Sequence, residues 1–291
     1  MPDQGPPDDA LAALVDRRSH LLDGPTPDTD PALAEVTDLL CRRLAAAPPV
    51  VRRVPADDPD GLPGRLAARE PVHPVTDAAD LADRLDDDRR LFVLEHPLLA
   101  GRPVNVVWVA LGREVPARMD QVLDPGAPPL DPDAADTAVF YSIWNAEPGL
   151  RGLGRGRDLI EGAVGLLQAE LPGLSTFVTL SPMPGFRAWL TGRGARTADP
   201  GDPALVREGA AYLTTLDDTG RPIDPVARFH LGNGARLWRV NAAADPSTRG
   251  LDRSFGLMAN YRYEPEDRAA NRAGLAAGRA TVSDDVAALL R

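Results

Sequence analysis

The chain is 291 residues long, 43% hydrophobic and 26% charged, with a formal net charge of −11 at pH 7. That length can bury a sizeable core and could hold two domains, and no apolar run reads as a membrane span or a signal peptide. One cysteine, Cys41, excludes an internal disulfide and a cysteine-based zinc site, the lack of any lysine excludes Schiff-base and pyridoxal phosphate chemistry, and the acidic excess argues against general nucleic-acid binding.

These features are those expected of a cytoplasmic protein without a membrane partner. Residues 1 to 9 are polar and proline-rich and read as a frayed tail. Leu11, Leu14, Val15 and Leu22 have the spacing of one short amphipathic helix, and Leu33, Val36, Leu39, Leu40 and Leu44 that of a second, with Gly24-Pro-Thr-Pro-Asp28 as the loop between them. Such a pair, over 1–47, is a packing or oligomerisation appendage more often than a catalytic element. Cys41 is expected as a small core residue on the second helix. The prolines and aspartates of 48–65 predict a linker, leaving 66–291 for the main domain.

Thr76 or Asp77 is placed to cap a helix carrying Leu81 and Leu85, and Leu91 to Leu94 reads as a strand. Val104 to Leu111 is a stronger strand, Asp124 to Asp136 a loop, and Thr137 to Ile143 a buried central strand. Next comes the glycine-rich turn Arg151-Gly152-Leu153-Gly154-Arg155-Gly156-Arg157. Its glycines let backbone N–H groups approach an anion, and the positive end of the following helix faces the same spot. A turn of this kind is by itself a weak signal; the three arginines around it and the strand before it strengthen the reading.

After the turn, Leu159, Ile160, Ala163, Val164, Leu166 and Leu167 form a core-facing helical stripe, and Ser175 to Leu180 is another strand. Strand, turn, helix and strand in this order predict two parallel strands. The second leads into Ser181-Pro-Met-Pro-Gly-Phe186, where the prolines and Gly185 hold Ser181 at the sheet's edge. A serine before proline ordinarily caps a strand, and a histidine in Arg228-Phe-His-Leu231 ordinarily packs in one. Tyr141, Trp144 and Trp238 read as core, and His20, His73 and His96 have no partner by spacing.

Several motifs in one order carry a more specific resemblance. Glu70-Pro-Val-His-Pro-Val75, Phe140-Tyr-Ser-Ile143, Gly149-Leu150, Thr179-Leu-Ser-Pro-Met-Pro-Gly-Phe186 and Trp189-Leu190 are among them. The others are Arg228-Phe-His-Leu-Gly-Asn-Gly-Ala235, Leu237-Trp-Arg-Val-Asn241, Asp245 with Arg249-Gly250, and Gly256-Leu-Met-Ala-Asn-Tyr-Arg-Tyr263. Together they resemble the malonyl-CoA decarboxylase family from about Arg69 to the C-terminus.

The resemblance implies an α/β catalytic domain of GNAT fold, a mixed sheet flanked by helices, behind a short helical N-terminal appendage. It also implies conversion of malonyl-CoA to acetyl-CoA and carbon dioxide, in fatty acid metabolism, with neither metal nor organic cofactor. By motif, Ser181 and His230 become the catalytic pair, Ser142 and Tyr263 supporting residues, and Arg151, Gly152, Leu153, Gly154, Arg155, Gly156 and Arg157 the coenzyme A turn. Gly154 stands where the animal enzymes are expected to have an acidic residue. The short appendage favours a homodimer or a monomer over the family's tetramer.

Decarboxylation leaves an enolate, so the site must stabilise charge on the thioester oxygen and then protonate carbon. Ser181 could orient the carboxylate, donate to the oxyanion or relay the proton. A GNAT-type acyltransferase and a non-catalytic acyl-CoA binding protein are the alternatives that the same turn allows.

Overall fold

The computed structural model describes residues 9–24, 30–153, 156–194 and 199–291. Helices α1 (Asp9–Asp23) and α2 (Asp30–Leu44) lie where the apolar spacing puts them, with Leu11 and Val15 of one and Val36, Leu40 and Leu44 of the other buried. Cys41 is exposed, contrary to expectation. It follows Leu40 by one residue and so sits about 100° around the helix from the Val36–Leu40–Leu44 stripe.

Residues 48–65 hold regular structure in place of the expected linker. Strand β1 (Val50–Val54) occupies part of it and helix α3 (Leu62–Ala67) another part. Pro49 and Pro55 bracket β1 without entering it, which an edge strand tolerates. Helix α4 (Ala78–Asp83) starts behind Asp77, whose side chain accepts the amides of Ala79 and Asp80. Strand β2 (Arg89–Glu95) pairs antiparallel with β1, from Val50 opposite Glu95 to Val54 opposite Leu91. Strands β3 (Asn105–Gly112) and β4 (Thr137–Asn145) precede helix α5 (Gly156–Glu170).

Strands β5 (Thr176–Thr179) and β6 (Ser181–Pro182) follow, then helices α6 (Phe186–Gly192), α7 (Pro203–Thr214) and α8 (Pro225–Gly232). Strand β7 (Arg236–Asn241), helix α9 (Thr248–Ser254), strand β8 (Met258–Arg262) and helices α10 (Arg268–Ala276) and α11 (Asp284–Leu289) complete the order. His230 therefore lies in a helix and not in the strand that Arg228-Phe-His-Leu231 resembles. Asp224 caps that helix by accepting the amides of Val226 and Ala227, and Pro225 supplies a first turn that needs no donor.

The chain divides into two compact units, Met1–Trp108 with Ser142–Glu170 and Val109–Tyr141 with Leu171–Arg291, so β3 and β4 contribute residues to both. In the first unit the strand order is β1-β2-β3-β4, and α5 packs on β1 and β2. Leu159, Ile160, Ala163, Val164 and Leu167 form the buried face of α5, but Leu166, at the edge of that stripe, is exposed. In the second unit the order is β3-β4-β5-β8-β6, with β7 on the far side of the β8 pairing. β4 and β5 are parallel as expected, Thr137 opposite Thr176 through Phe140 opposite Thr179, and β8 runs antiparallel to β5, β6 and β7.

Gly162 allows α5 to lie close on β1. An added Cβ there would stand 2.4 Å from Val51 Cγ2 and 2.7 Å from Val51 Cβ, a branched side chain with little room to give. Gly162→Ala is expected to lower stability by about 1–3 kcal/mol. Adding Val51→Ala should recover part of that loss, and urea denaturation of the single and double variants reads both effects.

Candidate active site

In the second unit, Thr179 ends β5 and Ser181 opens β6. The register with β8 is continuous across this break, Val178 opposite Arg262 and Ser181 opposite Ala259. Side chains replace ladder groups between these pairs. The Tyr261 amide donates to Thr179 Oγ1 at 3.1 Å, and Asn260 Nδ2 donates to the Thr179 carbonyl at 2.7 Å. Asn260 is fully buried and held in turn by Arg239 Nε and Asn241 Nδ2, which donate to its Oδ1 at 3.1 and 2.8 Å. Ser181 is thereby fixed at a rigid strand end.

His230, in the last turn of α8, reaches Ser181 Oγ through Nε2 at 3.1 Å and the Tyr263 hydroxyl through Nδ1 at 2.8 Å. Ser181 Oγ also donates to Thr179 Oγ1 at 2.9 Å. Tyr261 stacks on the imidazole, with centroids 4.6 Å apart and planes inclined by 23°. The histidine is 3% exposed, and burial pulls its pKa down from 6.5 to about 3. Burial likewise pushes the Tyr261 and Tyr263 hydroxyls well above the usual phenol range.

A neutral imidazole donates from one nitrogen and accepts at the other. The set is satisfied when Tyr263 donates to Nδ1, Nε2–H donates to Ser181 and Ser181 donates to Thr179. At the start of α8, burial pushes the Asp224 carboxyl up, against the Ala227 amide, which its Oδ1 accepts at 2.7 Å, the nearby Tyr212 hydroxyl, and the Val226 amide, which Oδ1 accepts at 2.9 Å.

Ser142 has different company, in the first unit. Its hydroxyl donates to Glu70 Oε1 at 2.8 Å, which also accepts the amides of Val72 and His73 at 2.8 and 3.2 Å. Trp144 Nε1 donates to Glu70 Oε2 at 3.0 Å. Ser142 thus helps to match a buried carboxylate. Among the other aromatic residues read as core, Tyr141 and Trp144 are buried and Trp238 is half-buried.

The glycine turn lies in the same unit. Residues 148–150 form a short 3-10 turn, Arg151 and Arg157 are exposed, Gly152 takes φ +82°, and buried Gly156 opens α5. Gly154 and Arg155, named with them, lie outside the described residues. The turn is held from α1. Arg18 Nη1 donates to the carbonyls of Gly149 and Arg151 at 2.7 and 2.9 Å, and Nε to Thr37 Oγ1 at 2.8 Å. Arg102 joins Asp16 of α1 to Glu147 at 2.7 and 2.6 Å. Arg18 was not singled out from the sequence, and Thr179 and Glu70 entered only as the first residues of family motifs, without a role. Arg18 had a readable signal, since it falls three residues after Val15 on the buried face of α1.

A sequence model of the malonyl-CoA decarboxylase C-terminal domain matches residues 50–218 and 195–291. The chain belongs to the malonyl-CoA decarboxylase family. The mitochondrial malonyl-CoA decarboxylase of Anser anser anser is 32% identical over 77% of this chain and 54% of its own length, so the chain spans about half the length of that curated relative. The crystal structure of malonyl-CoA decarboxylase from Rhodopseudomonas palustris is 34% identical, with a TM-score of 0.86 over 96% of this chain and 76% of that one. The loading GNATL domain of CurA from Lyngbya majuscula shares the fold alone, at 14% identity and a TM-score of 0.53 over 76% of this chain and 100% of that one. The GNAT-like mixed sheet is the expected one. Among the described residues no helix is long and apolar enough to cross a membrane.

The buried histidine links stability to pH. An unfolded chain takes up a proton at His230 below pH 6.5, whereas the folded one resists until about pH 3. Its contribution is therefore complete above pH 6.5 and is lost as the pH falls toward 3. Urea denaturation at pH 7.5 and pH 5 is expected to show a fall about 2 kcal/mol larger for the wild type than for His230→Gln. Equal falls in the two proteins would mean a solvated imidazole.

Proposed function

We propose that the chain decarboxylates malonyl-CoA to acetyl-CoA and carbon dioxide, with neither metal nor organic cofactor, Ser181 and His230 handling the proton. The observation that carries this reading is the buried chain from Tyr263 through His230 to Ser181, in a member of this family. Breaking the bond between the carboxylate and the α-carbon releases carbon dioxide and leaves its electron pair on the thioester as an enolate. The α-carbon must then take one proton, and a hydrogen-bond donor at the developing oxyanion contributes about 3 kcal/mol.

With a pKa lowered by burial to about 3, His230 is no imidazolium at neutral pH. In this reading the proton comes from a neutral relay. Ser181 gives its proton to carbon and takes one from Nε2, Nδ1 takes the Tyr263 hydroxyl proton so that the imidazole stays neutral, and solvent returns the proton that Tyr263 has lost. In the first unit, the proposed coenzyme A turn, Arg151 to Arg157, has its arginines at 151 and 157 exposed, which suits a pyrophosphate. The proposed setting is cytoplasmic fatty acid metabolism, and the proposed assembly a homodimer, which light scattering reads directly.

Incubating the pure chain with malonyl-CoA and measuring acetyl-CoA tests the activity. Ser181→Ala and His230→Ala are each expected to cut turnover by about a hundredfold or more while acetyl-CoA still binds. The double variant should be no worse than either single one, since the two groups act as a unit. Coenzyme A release that depends on an added acceptor would turn the reading to acyl transfer, and binding without turnover to a binding protein.

A further inference from the structure

The glycine turn is built against a buried cation from the other end of the chain. Arg18 is 6% exposed, and its guanidinium spends donors on two carbonyls that flank Leu150, those of Gly149 and Arg151. The fit is close. A Cβ at position 149 would stand 2.0 Å from the Val15 carbonyl oxygen, so the turn and the α1 backbone meet with no space for a side chain between them. Thr37 of α2 orients the guanidinium by accepting from Nε, and Arg102 ties Asp16 to Glu147 just before the turn. An arginine in this setting keeps its charge.

Peptide geometry gives this contact a consequence. Across a planar trans peptide the carbonyl and the N–H point in opposite directions. With the Arg151 carbonyl drawn onto Arg18, the Gly152 N–H points away from α1, and among the described residues no group accepts it. Gly152 itself, at φ +82°, has nothing within 4 Å of where a Cβ would stand. The same peptide turned over would offer an anion its carbonyl oxygen.

We propose that Arg18 is a positioning residue for the acyl-CoA site, orienting the Arg151–Gly152 peptide so that its N–H, and not its carbonyl, meets the substrate's pyrophosphate. This rests on reading Arg151 to Arg157 as the coenzyme A turn. It makes the N-terminal helices part of substrate recognition, in place of the appendage that their sequence resembles.

Malonyl-pantetheine carries the reacting group without the pyrophosphate, so the ratio of kcat/KM for malonyl-CoA to that for malonyl-pantetheine isolates the turn and is unaffected by any inactive fraction. In Arg18→Met this ratio is expected to fall by about tenfold or more, through a higher KM for malonyl-CoA, with malonyl-pantetheine turnover little changed. Equal losses on both substrates, or no loss on either, would overturn the proposal by leaving Arg18 a purely structural role. A wild type that does not prefer malonyl-CoA would instead remove the coenzyme A turn itself, and the proposal with it. Should Arg18→Met fail to fold, Arg18→Gln, which keeps a donor but not the charged fork, is read by the same ratio and the same outcomes.

Discussion

An imidazole that must stay uncharged is the constraint around which the second unit is arranged. His230 has almost no contact with solvent, so a positive charge there would go unhydrated, and each ring nitrogen needs a neutral partner of the right kind. Tyr263 meets one nitrogen and Ser181 the other. Those partners stand on different strands, β8 running into Tyr263 and β6 opening at Ser181, and the histidine stands on a helix. The three converge because α8 starts where Asp224 and Pro225 set it and because β5, β6 and β8 keep one register through the break at Leu180.

That break is also polar engineering of the sheet. A strand that ends and restarts leaves amides and carbonyls to be matched, and an unmatched buried donor costs about 1–3 kcal/mol. Thr179 and Asn260 supply side-chain partners in place of ladder groups. The threonine hydroxyl that accepts the Tyr261 amide is the one that meets Ser181, so the repair of the ladder and the placement of the serine are one device.

Two buried charges of the first unit, Glu70 and Arg18, are matched on several sides. Glu70 receives the Ser142 hydroxyl, the Trp144 indole and two backbone amides, and Arg18 gives to two carbonyls and a threonine. Removing one partner from such a group leaves the other buried and uncompensated, which costs more than the contact itself is worth. The glycine turn is the exception in this unit. Its arginines at 151 and 157 are exposed, and the carbonyls of Gly149 and Arg151 are drawn onto Arg18.

Wherever a side-chain pattern repeats over enough residues, the sequence alone determined the element: α1, α2, β3, β4, α5 and β5 all follow from apolar spacing, and the parallel pairing of β4 with β5 from their order. Short or bracketed elements escaped it. Prolines around 48–65 concealed β1 because they flank the strand, and α8 is too brief for Arg228-Phe-His-Leu231 to show helical periodicity. Ser181, His230 and Tyr263 were legible as a group through family motifs, but no spacing in the chain says that Tyr263 sits behind Nδ1, that Thr179 accepts from Ser181, or that Ser142 belongs with Glu70. The first and last of these pairings join residues 33 and 72 positions apart, and all three depend on strand register, helix caps and the exclusion of water. Only the folded chain sets these, because hydrogen bonding and desolvation act between neighbours in space whatever their separation in sequence.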